Sequence, residues 1–295
     1  MTHLPIKYGL DAIPRMSIII WGPSGVGKTT WAATAPGKKL WISFGDSEHM
    51  SVAGRSDVGY WDLSSWHFSE VFKHGVGSNP FGLDDQLYED KDIKTVVVDS
   101  LTAIEWLGLE KAVADGVGAG KGFTPTMQVP GRPAYGGRNT NLRMVMKSIL
   151  QTTAKHRVHV IFTAHEDDPQ TDTAGNIEVI KMALGGKLVN AVSGALSEVW
   201  NFRQEPFGKR NRIITVRAGG FRKPMKTRMF NVGGAQSFVL EYDPDKPDED
   251  RGQMTIAGFY RQWVQRKLLR IPIPSNRKEG DEKDNVVSLK PKSSV

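Results

Sequence analysis

The sequence predicts an α/β fold, a mostly parallel sheet with helices on both faces and antiparallel strands at one edge. Three observations predict it. Short apolar, β-branched runs alternate with stretches of helical periodicity between Met16 and Ala164, the order expected of parallel strands joined by helical crossovers. The runs are apolar at successive positions rather than at every second one, as in strands buried on both faces. After Ala164 the texture changes to short strand-like segments separated by glycine-containing turns, which predicts an antiparallel extension.

Taken in chain order, residues 16–21 (MSIIIW) form an apolar run that stops at a glycine-rich turn, as a buried strand does before a helix, and residues 28–35 follow as that helix. A second strand is expected over 39–44 (KLWISF), a third over 95–99 (TVVVD), ending in a carboxylate, and a fourth over 158–164 (VHVIFTA). Helical patterns cover 64–73, 101–114 and 139–155. Later strands are expected at 178–183, 197–203 and 212–218, a Pro- and Asp-rich loop at 241–250, and a closing helix at 254–269. The expected organisation is an N-terminal extension over 1–15, one domain over 16–270, and a disordered basic tail over 271–295, rich in Pro, Lys, Glu and Ser. There is no internal repeat.

Composition narrows the function classes. Of the residues, 39% are hydrophobic and 24% charged, which excludes a mainly disordered chain. The absence of cysteine excludes disulfides, thiolate metal sites and cysteine nucleophiles. With no apolar run long enough to span a bilayer and no cleavable leader pattern, a cytoplasmic location without membrane partners is expected. A net charge of +7 is compatible with polyanionic partners, or with a generic solvated basic surface.

Gly22-Pro23-Ser24-Gly25-Val26-Gly27-Lys28-Thr29 satisfies the G-x-x-x-x-G-K-[ST] pattern and stands where its chemistry requires, after a strand and before a helix. Backbone N–H groups of such a loop curl around phosphates, and the helix amino terminus adds partial positive charge. Gly22, Pro23, Ser24, Gly25, Val26, Gly27, Lys28, Thr29 and Thr30 are therefore the expected ATP-binding residues. Lys28 would reach the β and γ phosphates, and the Thr29 hydroxyl would hold Mg²⁺. A carboxylate at the end of a second apolar strand completes such a site, and Asp99 fills that position, acting on the metal through bound water.

The segment after the second strand, Gly45-Asp46-Ser47-Glu48-His49, resembles the acidic segment of RecA-like recombinases, where a glutamate polarises the attacking water. The resemblance assigns Glu48 that role; the alternative is an N-cap from Asp46 or Ser47. It also matches His165, at the end of the fourth strand, to a γ-phosphate contact; a structural histidine is the alternative. Lys226-Thr227-Arg228 is similar to the Lys-x-Arg element that RecA-like helicases and recombinases insert into a neighbouring subunit's ATP site; a surface patch is the alternative. The resemblance spans 15–228. In size and layout the chain looks like phage-encoded RecA-like proteins that bind and anneal single-stranded DNA, lacking the amino-terminal polymerisation helix and carboxyl-terminal domain of bacterial RecA.

Recombinases of this kind touch DNA through two loops. The first corresponds to 115–138, whose Lys121, Arg132 and Arg138 suit phosphates and whose Phe123 and Tyr135 suit base stacking. The second, 166–176, is acidic, which runs against phosphate binding, so a neighbouring subunit is its expected contact, and 221–228 is an alternative basic strip. The reading is thus an ATPase with Mg²⁺ that binds single-stranded DNA, assembles with copies of itself as a ring or filament, and promotes annealing or strand exchange. A single-strand-binding protein is a further candidate partner. The alternatives are a DNA motor and a nucleotide-switched loader acting on a protein.

Overall fold

The computed structural model describes residues 15–45, 48–120, 122–204, 212–217, 221–230, 237–240, 255–264 and 286–288. Its strands are β1 (Ser17–Gly22), β2 (Lys38–Ser43), β3 (Val58–Asp62), β4 (Ile93–Asp99), β5 (His159–His165), β6 (Gln170–Thr171), β7 (Ile177–Val179), β8 (Glu198–Gln204), β9 (Arg212–Thr215), β10 (Ser237–Leu240) and β11 (Val286–Ser288). The helices are α1 (Lys28–Ala32), α2 (Phe68–His74), α3 (Leu83–Glu89), α4 (Leu101–Ala114), α5 (Gly131–Lys155), α6 (Leu188–Ala195) and α7 (Ile256–Val264).

Among the described residues nine strands form one sheet in the order β11-β10-β9-β8-β1-β5-β4-β2-β3. From β8 to β3 every neighbouring pair is parallel. Alternate residues of β1 explain its continuous apolar run. Ile19 and Trp21 face a core built with α2, α3, α4, α5 and α6, whereas Ile18 and Ile20 face a second core with Trp31 of α1 and Ile256 and Phe259 of α7. Helices thus cover both faces, as expected of this strand pattern.

The antiparallel edge begins later than the sequence predicts. β8 pairs parallel with β1, and among the described strands of this sheet only β9 and β10 run antiparallel to their predecessors. The reason is α6, an unpredicted helix that carries the chain back across the sheet, because a parallel neighbour requires a crossover. Of the predicted 178–183 strand only Glu178 and Val179 are strand, in β7, which closes a small hairpin with β6. Val286–Ser288, inside the stretch expected to be a disordered tail, is edge strand β11 on β10.

The expected 115–138 loop is also shorter, since α5 starts at Gly131. Glycines at 131, 136 and 137 argue against a helix by propensity, but packing overrides it. A Cβ on Gly137 would lie 2.9 Å from Ala112 Cβ and one on Gly108 would lie 3.3 Å from the Arg138 carbonyl oxygen. The glycines let α4 and α5 approach closely.

Candidate nucleotide site

The site lies at the carboxyl ends of β1, β5 and β4, with β5 inserted between the other two. β1 ends at Gly22, where only glycine fits: a Cβ would fall 1.9 Å from the carbonyl oxygen of Phe202 on β8. The turn that follows needs left-handed backbone at Gly25 and Gly27 (φ 73° and 92°). Ser24 and Gly25 form its exposed crest, Pro23 and Thr30 are half-buried, and Val26 is buried. Arg212, at the start of β9, donates from Nε to the Val26 carbonyl at 2.7 Å and braces the loop from outside.

Lys28, the first residue of α1, is buried, and its Nζ donates to the carbonyls of Gly22 (3.0 Å) and Pro23 (2.7 Å). The Thr29 hydroxyl donates to Asp99 Oδ2 at 2.9 Å, and the hydroxyl of Thr163 on β5 donates to Asp99 Oδ1. Asp99 is 3% exposed. A hydroxyl and a carboxylate thus converge beside the loop, and hard oxygen donors of this kind suit Mg²⁺. Among the described residues no group of three or more His, Cys, Asp or Glu could hold a metal ion. The pair Thr29 and Asp99 fits a cation that takes its remaining ligands from phosphate and water. With ATP bound, Mg²⁺ there would neutralise phosphate charge.

A family model described as an AAA domain matches residues 15–223. The chain belongs to this AAA domain family. A search among curated proteins found no match to the sequence. Membership and geometry agree on a P-loop NTPase-like protein with nucleotide-dependent activity. No helix among the described residues is long and apolar enough to cross a membrane.

The remaining predicted residues of this AAA domain lie as follows. Ser43 of β2 is in register with Asp99, so the chain leaves β2 beside the aspartate. Glu48 then opens a 3₁₀ turn, Glu48–Val52; its side chain, with Asp46 and Ser47, lies outside the described residues. His165 pairs in register with Gly22. Burial first, and the nearby Lys28 ammonium second, hold its imidazole below the ordinary value, against the pull of Asp99. Its backbone N–H donates to the Thr102 hydroxyl at 3.0 Å.

Lys226 and Arg228 part company. Lys226 turns inward, and its Nζ donates to the Leu196 carbonyl (2.7 Å) just past α6, where the free carbonyls of a helix end attract cations. Arg228 is exposed. The turn between them is held by Glu198 of β8, which is 1% exposed and accepts from the Thr227 hydroxyl (2.7 Å), the Arg228 N–H (2.8 Å) and the Met229 N–H (3.1 Å). Burial raises the Glu198 carboxyl above its usual range.

Of the residues predicted to meet DNA, Lys121 lies outside the described residues. Phe123 is exposed beside the start of α5, and Arg132 and Tyr135 are exposed on its first turns. Arg138 points elsewhere: its guanidinium pairs with buried Glu105 of α4 at 3.2 Å and stands 5.0 Å from the Tyr135 ring centre.

Sequence reasoning missed three contributors: Thr163, Arg212 and the group around Glu166. The Glu166 N–H donates to the Gly22 carbonyl (3.0 Å), and its carboxylate accepts from Asn201 Nδ2 (3.0 Å) and pairs with Arg222 (3.4 Å). Only Thr163 carried a signal, as a hydroxyl one strand away from the carboxylate that the motif requires. Asn201, Arg212 and Arg222 come from distant β8, β9 and 221–230, and no spacing rule brings them to the loop.

Proposed function

We propose that this AAA-domain protein is an ATP-dependent, RecA-like single-stranded-DNA-binding protein that promotes annealing or strand exchange, assembles head to tail, and hydrolyses ATP to reset its grip on DNA. The observation that carries the reading is the meeting of Lys28, Thr29, Asp99 and Thr163 at the ends of three adjacent parallel strands, the arrangement needed to position and neutralise a nucleotide triphosphate. Supporting the DNA part are Phe123, Arg132 and Tyr135, two rings and a cation exposed near the amino end of α5. Because α5 leads down into β5, which is parallel to β1, that end lies at the same carboxyl end of the strands as the phosphate loop. Bases stack on such rings while cations take the phosphates.

The deciding experiment measures ATP hydrolysis with and without single-stranded DNA, together with DNA-binding anisotropy under ATP, ADP and no nucleotide. Nucleotide-dependent DNA binding with stimulated turnover is expected, and replacing Arg132 and Tyr135 by Ala should weaken it without changing ATP affinity. ATP binding with no response to DNA overturns the reading in favour of a nucleotide-switched loader. One observation already favours that second reading: Glu166 and Asn201 tie the phosphate-loop strand to Arg222 in the 221–230 segment, a route by which nucleotide state could alter a protein-binding surface.

A further inference from the structure

On the face formed by α5 and α6, away from the phosphate loop, the two helices leave a groove of about 540 Å³. Met144, Leu150, Ala191 and Ala195 form much of its wall, and Arg143 and Lys147 stand on its rim. Met144 is 45% exposed, and the small α6 side chains keep the groove open. α6 itself, LVNAVSGA, carries no charge.

The charge around the groove is one-sided. The 25 residues of α5 include no Asp or Glu. Two of its cations are engaged, Arg138 with Glu105 and Lys155 with Asp84, whereas Arg143 and Lys147 are exposed and make no ion pair among the described residues. An apolar trough with a cationic rim is complementary to an amphipathic helix bearing acids along its polar edge. Nucleic acid fits it less well, since no aromatic side chain lines the groove for a base to stack on. A free phosphate is disfavoured too, because the middle of a helix offers no unpaired backbone N–H groups.

We propose that the α5/α6 groove docks an acidic, amphipathic helical segment of a partner protein. Apolar side chains of the segment lie between Met144 and Ala195, and its carboxylates meet Arg143 and Lys147. This surface goes beyond the nucleotide site and does not depend on DNA binding. It gives the protein a second handle, on the helices that feed β5 and β8, the strands carrying Thr163 and Asn201.

The test uses the full chain and a fluorescein-labelled synthetic peptide with leucines at i, i+3, i+4 and i+7 on one helical face and glutamates on the other, followed by anisotropy. The wild type should bind it saturably and more weakly as salt rises, and a lysine-for-glutamate peptide should not bind. Ala195→Trp, which fills the groove, and the double variant Arg143→Glu with Lys147→Glu, which reverses the rim, should each weaken binding at least about tenfold. ATP affinity and the far-UV circular dichroism should stay unchanged. The rim variant sits on exposed positions, so it remains informative if Ala195→Trp fails to fold. Absence of glutamate-peptide binding, or equal binding by the rim variant, overturns the proposal. So does a result in which the rim variant loses affinity for a single-stranded oligonucleotide while keeping the peptide, which makes this face a nucleic-acid surface.

Discussion

Asp99 is a buried carboxylate with both oxygens occupied, one by the Thr29 hydroxyl and one by Thr163. Removing one donor from such a group costs about 1–3 kcal/mol and frees the carboxylate to turn. Thr163→Val, nearly the same shape, should therefore raise the Mg²⁺ concentration needed for half-maximal ATP turnover and lower turnover itself, while Thr163→Ser restores both. A Val variant with the wild-type Mg²⁺ response removes Thr163 from the site. His159 makes a second residue-level case, remote from the nucleotide. Its Nδ1 accepts the Met16 N–H at 3.1 Å, which requires that nitrogen to be unprotonated. Burial, helped by Arg15, lowers its pKa from 6.5 to about 4. The unfolded ring takes up a proton first, so this contribution to stability is full above about pH 6.5 and is lost as pH falls toward 4, amounting to about 3 kcal/mol. Urea unfolding across that range should show a steeper loss for the wild type than for His159→Asn, whose amide oxygen can accept the same N–H without titrating; parallel curves would discard His159 as the cause.

At the scale of elements, the phosphate loop depends on how closely β1 and β8 pack. Gly22 is the first glycine of the nucleotide motif, yet what forbids a side chain there is the Phe202 carbonyl. Gly22→Ala must push two central strands apart, and overpacking of this kind costs about 1–3 kcal/mol or more. The variant should show a lowered thermal midpoint even without nucleotide; a loss of ATP binding at wild-type stability would mean that Gly22 acts on phosphate alone. The same contrast marks what could be read from the chain. β1, β2, β4 and β5 were legible because doubly buried strands leave unbroken apolar runs such as TVVVD, and α4 was legible from its helical periodicity. β3 was not, since VGYWD at a sheet edge has mixed burial, and the start of α5 was hidden by glycines whose purpose is to meet α4. The motif residues Lys28, Thr29 and Asp99 were legible from spacing. Thr163, Arg212 and Asn201 were not, because only the strand order β9-β8-β1-β5-β4 makes them neighbours of the loop.

For the whole molecule the open issue is whether one chain completes its own site. Lys226 and Arg228 look equivalent in sequence, but the fold spends Lys226 on the end of α6 and leaves Arg228 outside. Lys226→Ala should accordingly lower stability by about 0.5–1.5 kcal/mol, the usual value of such a hydrogen bond, with its effect on turnover following from that loss. Arg228→Ala should leave stability unchanged. If head-to-tail assembly brings Arg228 to a neighbour's phosphates, a cation supplied there at the transition state is worth about 10³–10⁵ in rate, and subunits must complement one another. Lys28→Ala chains lack a working phosphate loop but still offer Arg228; Arg228→Ala chains have the loop but offer no cation. Each alone should be nearly inactive in ATP hydrolysis. Mixed together, an Arg228→Ala subunit whose neighbour is Lys28→Ala regains a complete site, so turnover should reappear in the mixture and grow with protein concentration. A mixture as inactive as its components would assign Arg228 to some other surface and remove the argument for a shared active site.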